Sequence, residues 1–431
     1  MLYPLFNYLN ALFGISLFTY ISFRAIVAGV LSLCLSVWLG KFFIKWMRNR
    51  KIYETQRDEK LDPDANSKKE VVTMGGLFVI FAMLASSLLM GRLTNVYMVL
   101  MIVTTVSMGV LGFADDYIKT FRKNKDGLKP RYKIMGQLAL GVIVALTLYA
   151  HPAVTMNETV SSRIENNVVV VEKSPEVKST RTTIPFVKRH NFNYADLFSW
   201  MGEKYMYYAG WIFFLLLTVF VVAALSNGAN LNDGMDGMCA GNSVIIAIGL
   251  LLLAYMSGSV LWAEYFDVMY IPGSEELVVF LATFVGALLG FLWWNGFPAE
   301  VYLGDTGSLT IGGIIGVCAM SIHKELMLPL LCGIFLMESV SVIIQTRVYK
   351  FYKKRGKHVR IWRKTPFHDH FCTTVEEMHK NDPTCSCFFS DDSRVVVNKK
   401  FPGIAKPKIV LRFCIITLIL AALTFLTLKI R

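Results

Sequence analysis

Charge is what this sequence has least of. Asp, Glu, Lys and Arg make up 17% of its 431 residues, against 54% hydrophobic ones, where a soluble domain carries nearer a quarter of charged residues. That shortage excludes a string of water-soluble domains. No repeat of fixed period is present, and the first apolar segment lacks a small-residue cleavage pattern. The basic stretch KFFIKWMRNRK (41–51) follows it instead, so it is read as a retained span and not a signal peptide. Nucleic-acid recognition modules are also missing. The net charge of +13 comes from basic residues flanking apolar runs, which reports membrane topology and not a nucleic-acid partner. Disulfides are not expected. Cys34, Cys239, Cys318, Cys332 and Cys414 fall in apolar runs, where Cys acts as a small hydrophobe, and Cys372, Cys385 and Cys387 fall in a loop read as cytosolic.

What the chain does have is apolar runs near the ~20-residue spanning length, recurring from end to end. Ten are assigned, at 19–41, 74–91, 96–114, 134–151, 206–226, 239–257, 277–294, 308–322, 326–346 and 409–428. The expectation is an all-α integral membrane protein, one polytopic domain over 1–431, with an aromatic interfacial helix within 1–18. Lys and Arg crowd the loops after spans one, three and nine. These are all odd-numbered, so they lie on one side, which must be cytoplasmic, and both termini are then periplasmic. A loop insertion at 152–205 is periplasmic in this scheme, and long loops translocate regardless of their charge. Within it NVVVVEK and RTTIPFVK read as strands that pair as a small hairpin, and Asn157-Glu158-Thr159 matches a glycosylation sequon. The loop at 347–408 is cytoplasmic.

Four polar clusters sit at span ends: Asp115-Asp116, SNGANLNDGMDG (226–237), NGFPAEVYLGDTGS (295–308) and KTPFHDHF (364–371). They follow spans three, five and seven and lie in the loop after span nine, so hydropathy and Lys/Arg bias alone put all four on the cytoplasmic side. Carboxylates at the edge of a span are costly unless they serve an ion, a proton or a substrate. Neighbours on a helix point about 100° apart, so Asp115 and Asp116 take different roles. Asn230, Asp233 and Asp236 stand three apart, which would place each pair on one face if helical. Flanking glycines let backbone approach a ligand, and amides with carboxylates suit a nucleoside. Asp305 can hold Mg²⁺, a hard ion that prefers oxygen ligands and phosphates, and Tyr302 can stack on a base. Blander readings stand beside these: solvated helix ends for the paired aspartates, a capped turn for 230–237, an N-cap for Asp305, and interface anchoring for Tyr302. His368 and His370 can bind a metal, a diphosphate or a proton. Zinc shared with Cys372, His379, Cys385 and Cys387 is disfavoured, because the spacing matches no zinc module.

Together TMGG (73–76), LGFADDYIK (111–119), SNGANLNDGMDG, NGFPAEVYLGDTGSL and KTPFHDHF resemble the polyprenyl-phosphate N-acetylhexosamine-1-phosphate transferase superfamily, in order and from about residue 20 onward. More narrowly they resemble its phospho-N-acetylmuramoyl-pentapeptide-transferase branch. The resemblance implies ten helices, a cytoplasmic cleft, a homodimer in the bacterial inner membrane, and Mg²⁺ as cofactor. It implies transfer of phospho-MurNAc-pentapeptide from UDP-MurNAc-pentapeptide to undecaprenyl phosphate, giving lipid I and UMP. Carried over by motif, Asp115, Asp116 and Asp305 form the catalytic acidic set with Asp305 as the metal ligand. His368 and His370 belong to the catalytic histidine motif. Lys68, Thr73, Asn230, Asp233, Gly234, Met235, Asp236, Asn295 and Tyr302 fall at nucleotide-site positions, and Lys119 on the phosphate side.

The chain departs from the family pattern where Asp369 replaces the middle of three histidines, and where KKEVV precedes Thr73. An anion at 369 would repel diphosphate, or it would orient a neighbouring imidazole. The alternative function is a polyprenyl-phosphate GlcNAc-1-phosphate transferase of another envelope glycan. A cation transporter fits less well, since transporter sites lie near the midplane and these acids lie at span ends.

Overall fold

The computed structural model describes residues 8, 19–53, 71–124, 126–158, 160–165, 168–187, 191–372, 386–387 and 404–429. Apart from Tyr8, the expected interfacial helix lies outside the described residues, as do Lys68, His379 and Cys385. Each of the ten apolar segments is helical. In chain order they give α1 (Ile21–Asn49), α2 (Gly76–Met90), α3 (Val96–Thr120), α4 (Pro130–Ala150), α5 (Glu203–Asn232), α6 (Met238–Gly258), a short α7 (Val260–Phe266), α8 (Glu275–Asn295) and α9 (Gly304–Ser321). The short α10 (Leu328–Leu331), α11 (Gly333–Lys353), α12 (Phe367–Cys372) and α13 (Lys406–Thr427) complete the set.

Among the described residues, seven helices are long and apolar enough to cross a membrane, so this is a multi-pass membrane protein. The ninth expected span is broken: Glu325–Leu331 meets Gly333–Lys353 at 80°. The second, α2, has only fifteen residues. The eighth, α9, is buried along almost its whole length from Thr306 to Ser321. Several helices outrun their apolar runs. α3 continues to Thr120 and α5 to Asn232, because backbone hydrogen bonds still favour helix beyond the hydrocarbon that sets the apolar length. Asn95 starts α3 by accepting from the Tyr97 and Met98 amides at 2.9 and 3.2 Å.

Small residues decide how the helices meet, since apolar side chains gain little by leaving lipid for each other. A Cβ on Gly286 of α8 would stand 2.1 Å from the Gly29 carbonyl of α1. Along the same seam Ser32 and Ser36 donate to the carbonyls of Thr283 and Ala287 at 2.7 and 2.9 Å. At one end of the seam the buried Arg24 guanidinium clasps Glu276 through two bonds, 2.5 and 3.1 Å. α9 runs down the middle against α3 and α5. A Cβ on Gly112 of α3 would lie 2.3 Å from the Asp305 carbonyl, so the two helices touch backbone to backbone where the paired aspartates lie.

The insertion at 152–205 holds strands, but not the hairpin expected from sequence. NVVVVEK supplies β2 (Val168–Lys173), which pairs antiparallel with β1 (Val160–Glu165) just upstream. RTTIPFVK supplies β3 (Arg181–Thr183), which pairs with β4 (Asn191–Asn193). β2 took the nearer partner, since two residues separate it from β1 and seven from β3, and the shorter loop is cheaper to close. A further parallel pair joins β5 (Val359–Arg360) to β6 (Ser386–Cys387). The insertion docks on the turn after α9. Thr183 N and Thr182 Oγ1 donate to His323 O, Lys324 Nζ donates to Thr183 Oγ1 at 2.6 Å, and Tyr194 OH donates to Glu325 at 2.8 Å. Asn157 is buried, with its backbone paired to Tyr270 and its amide on Ser174 O. The sequon match is therefore not a glycosylation site in this fold.

Candidate active site

The last turns of α3 present Asp115 and Asp116 in different directions, as helical geometry requires. Asp115 is fully buried. Its Oδ1 accepts from the Leu128 amide at 2.7 Å and lies 2.9 Å from Lys133 Nζ, while Oδ2 lies 2.5 Å from Lys119 Nζ. The loop that passes over it turns at Gly127, with φ +63; a Cβ there would fall 2.6 Å from Asp115 Oδ1. Only glycine fits both the angle and the space. Asp116 faces the start of α9. Its Oδ1 accepts from Asp305 N at 3.0 Å, and its Oδ2 accepts from Thr306 N at 2.8 Å and Thr306 Oγ1 at 2.6 Å.

Asp305 completes the group from the first turn of α9. It is not the N-cap of that helix; Leu303 holds that position without a side-chain bond. Asn230 Nδ2 donates to Asp305 Oδ1 and to Ser308 Oγ, both at 2.9 Å. Lys119 and Lys133 reach Asp305 Oδ2 at 3.1 and 2.5 Å. Asp115, Asp116 and Asp305 each place an oxygen within 4.8 Å of the others. Two like charges ~4 Å apart repel by about 4 kcal/mol at an effective dielectric constant of ~20. Two ammonium groups offset part of this and leave one negative charge over. An all-oxygen donor set with excess negative charge suits a hard divalent cation.

Of the nucleotide-site candidates, Asn230 reaches this centre, and those that follow it do not share its helical face. α5 ends at Asn232, and Asp233 to Gly237 form a turn closed by Gly237 at φ +77, so the expected run of three-apart residues breaks after Asn230. Asp236 Oδ2 accepts from Ala299 N at 3.2 Å. Asn295 ties the same two loops together: its Oδ1 accepts from Gly237 N at 2.9 Å and its Nδ2 donates to Val301 O at 2.8 Å. Both ends of its amide are committed to backbone, which makes it a staple of the loops. Thr73 is buried beside a bridge between Val72 and Val301, and Tyr302 N donates to Val72 O at 2.7 Å. Met235 packs its side chain into a small core with Met238, Ile334, Ile409 and Phe413, and its carbonyl accepts from Met238 N at 3.1 Å. Gly234 lies against the histidine motif, and a Cβ there would meet His368 Nε2 at 2.2 Å.

The two histidines differ. His368 is buried over α11, where its amide donates to Glu338 Oε1 at 3.2 Å and its Nδ1 lies 3.2 Å from Glu338 Oε2. His370 is half-buried, stacks on Phe367, and accepts the Arg363 amide on Nδ1 at 3.2 Å. Partial burial and the Arg363 guanidinium hold its imidazole below the ordinary value. Asp369 pairs with Lys364 at 3.0 Å; its oxygen is 3.7 Å from His368 Nε2, too far to orient that ring by a hydrogen bond. Among the described residues the acidic trio is the only cluster of metal-ligating side chains.

Three residues at the candidate site were not singled out from sequence. Lys133 counted only toward topology, yet it bridges Asp115 and Asp305. Its signal was faint: a basic residue in the first turn of a helix, where the macrodipole disfavours it. Glu338, a lone acid inside an apolar run, is a stronger signal by the cost of burying charge. Thr306 gave none beyond its place after Asp305.

The model of glycosyl transferase family 4 matches residues 98–323. The chain is 51% identical to the phospho-N-acetylmuramoyl-pentapeptide-transferase of Phocaeicola vulgatus, over 100% of both chains. Proteins of the same description from Bacteroides thetaiotaomicron and Porphyromonas gingivalis are 50% and 46% identical, again over 100% of each chain.

Proposed function

Because the chain belongs to the phospho-N-acetylmuramoyl-pentapeptide-transferases of glycosyl transferase family 4, we propose that it transfers phospho-MurNAc-pentapeptide from UDP to undecaprenyl phosphate, yielding lipid I and UMP. The observation that carries this reading is convergence. Four polar clusters scattered from residue 115 to 370 meet through Asn230 on Asp305, Asp116 on the α9 terminus and Gly234 against His368.

The reaction exchanges one phosphoanhydride for another, so the site works by positioning and by neutralising charge. In the direct route a base on α3, Asp115 or Asp116, takes the proton of the lipid phosphate. That oxygen forms a bond to the β-phosphorus of the sugar nucleotide as the bond to UMP breaks. Lys119 and Lys133 bring ammonium groups to where the phosphates must sit. Asn230, Asp233, Gly234, Asp236 and Tyr302 line the nucleotide side, and His368 stands where the 233–237 turn meets α12. Asp305, with Asp115 beside it, is the place for Mg²⁺, and the bound ion would offset phosphate charge on the leaving side. The site faces the cytoplasm of a bacterial inner membrane, and the assembly is a homodimer.

The test is UMP release by the purified protein with undecaprenyl phosphate, supplied with UDP-MurNAc-pentapeptide in one arm and UDP-GlcNAc in the other. Release in the first arm alone, lost in Asp115→Asn, Asp116→Asn and Asp305→Asn, is the expected result. Release from UDP-GlcNAc alone would assign the chain to another glycan.

A further inference from the structure

Resting on that reading, we propose that Asp116 is a positioning residue. It caps the N-terminus of α9 from the neighbouring helix and so fixes Asp305.

The first four amides of a helix have no partner within it. α9 begins after Leu303, which offers no side-chain cap. Its leading donors turn to Asp116 instead: the Asp305 amide, the Thr306 amide and the Thr306 hydroxyl, at 3.0, 2.8 and 2.6 Å. A carboxylate there also meets the positive end of the helix dipole. The surroundings are shaped for the contact. Asp116 is 4% exposed. Gly304 has φ +74 and no side chain where a Cβ would come within 2.6 Å of Asp116 Oδ2, and Gly112, one turn earlier on α3, lets the helices close to backbone contact.

Both oxygens of Asp116 are therefore already facing donors. Asp115 is placed differently. Two of its partners are Lys119 and Lys133, flexible side chains that also touch Asp305 and can turn to a phosphate. Asp305 depends on Asp116 directly, because the amide that Asp116 holds is Asp305's own.

The test uses Thr306→Val, a substitution of nearly equal shape at a residue with no assigned contact to substrate, alongside Asp116→Asn and the double variant. Mn²⁺ affinity is read by electron paramagnetic resonance on the full-length protein, and kcat and KM by UMP release. Thr306→Val should weaken Mn²⁺ binding several-fold and lower kcat about tenfold at unchanged KM, the size of one lost charge-assisted bond. Asp116→Asn should go further in both. The double variant should be no worse than Asp116→Asn alone, since both remove one linkage. The proposal is overturned if Thr306→Val keeps wild-type Mn²⁺ affinity and kcat while Asp116→Asn loses turnover, because Asp116 then acts on substrate or metal itself. Should Asp116→Asn fail to fold, Thr306→Val still decides. If the unaltered protein releases no UMP, the transferase reading fails, while the Mn²⁺ comparison still tests the cap.

Discussion

Two of the buried charge clusters in this bundle are built on opposite plans. Arg24 and Glu276 pair one cation with one anion, each only 3–4% exposed, and the backbone at Met90 and Arg92 closes around them. Asp115, Asp116 and Asp305 set three anions against two lysines, whose side chains keep 35% and 21% of their exposure. The first cluster is balanced and shut; it fastens α1 to α8. The second is unbalanced and reachable, with surplus negative charge left for something that arrives. Buried charge alone does not mark a functional site. Imbalance and access do.

The largest effect expected is a crossed pair of variants. Glu276→Gln leaves Arg24 buried without its anion, and this costs about 3–5 kcal/mol of stability, while turnover per folded molecule stays unchanged. Asp305→Asn does the reverse: turnover falls about 10³-fold, on the scale of losing a principal electrostatic contact, with thermal unfolding in detergent unmoved or slightly raised because repulsion is relieved. If both variants lose stability and turnover together, the distinction drawn above collapses. A smaller effect sharpens it. Lys133→Met leaves one ammonium against three carboxylates, so Mn²⁺ binding should tighten several-fold while turnover falls about 100-fold; weaker Mn²⁺ binding would mean the lysine only holds the site in shape. Next, Gly234→Ala drives a methyl into His368. Overpacking of this kind costs about 1–3 kcal/mol, and here it should appear as a tenfold rise in KM for the UDP-sugar with unfolding little changed.

The smallest effect is in the histidine loop. His370 is held below its ordinary value near 6.5, so its neutral form is the one the fold favours. Its stabilising contribution is complete above that value and is lost as pH falls through the lowered one. Hydrogen exchange over 361–372 should therefore lose protection on going from about pH 7 to about pH 5, and His370→Gln should remove that dependence. A pH-independent exchange pattern in the unaltered protein would show that the Arg363 bond does not matter.

Legibility in the sequence followed the range of the interaction involved. Apolar length found the cores of the seven described helices long enough to cross a membrane, and Lys/Arg bias assigns Asp115, Asn230, Asp305 and His368 to one side. Helix ends were less visible: Asp115 and Asn232 lie inside helices that hydropathy had already closed. Pairing inside the insertion was misjudged, because two strand-like segments do not say which neighbours they choose. The roles within the acidic trio were out of reach. Nothing in the letters Asp-Asp tells that one side chain meets lysines and the other meets a helix terminus 189 residues away.

By itself the sequence determined the medium and the positions of the apolar helical segments, because these follow from transfer free energies summed over single segments. Only the tertiary structure decided that α9 lies at the centre, that Gly112, Gly304 and Gly127 clear the space around two carboxylates, and that Lys133 bridges Asp115 to Asp305. Those outcomes depend on which backbones can touch, a property of pairs of helices that no single stretch of chain contains.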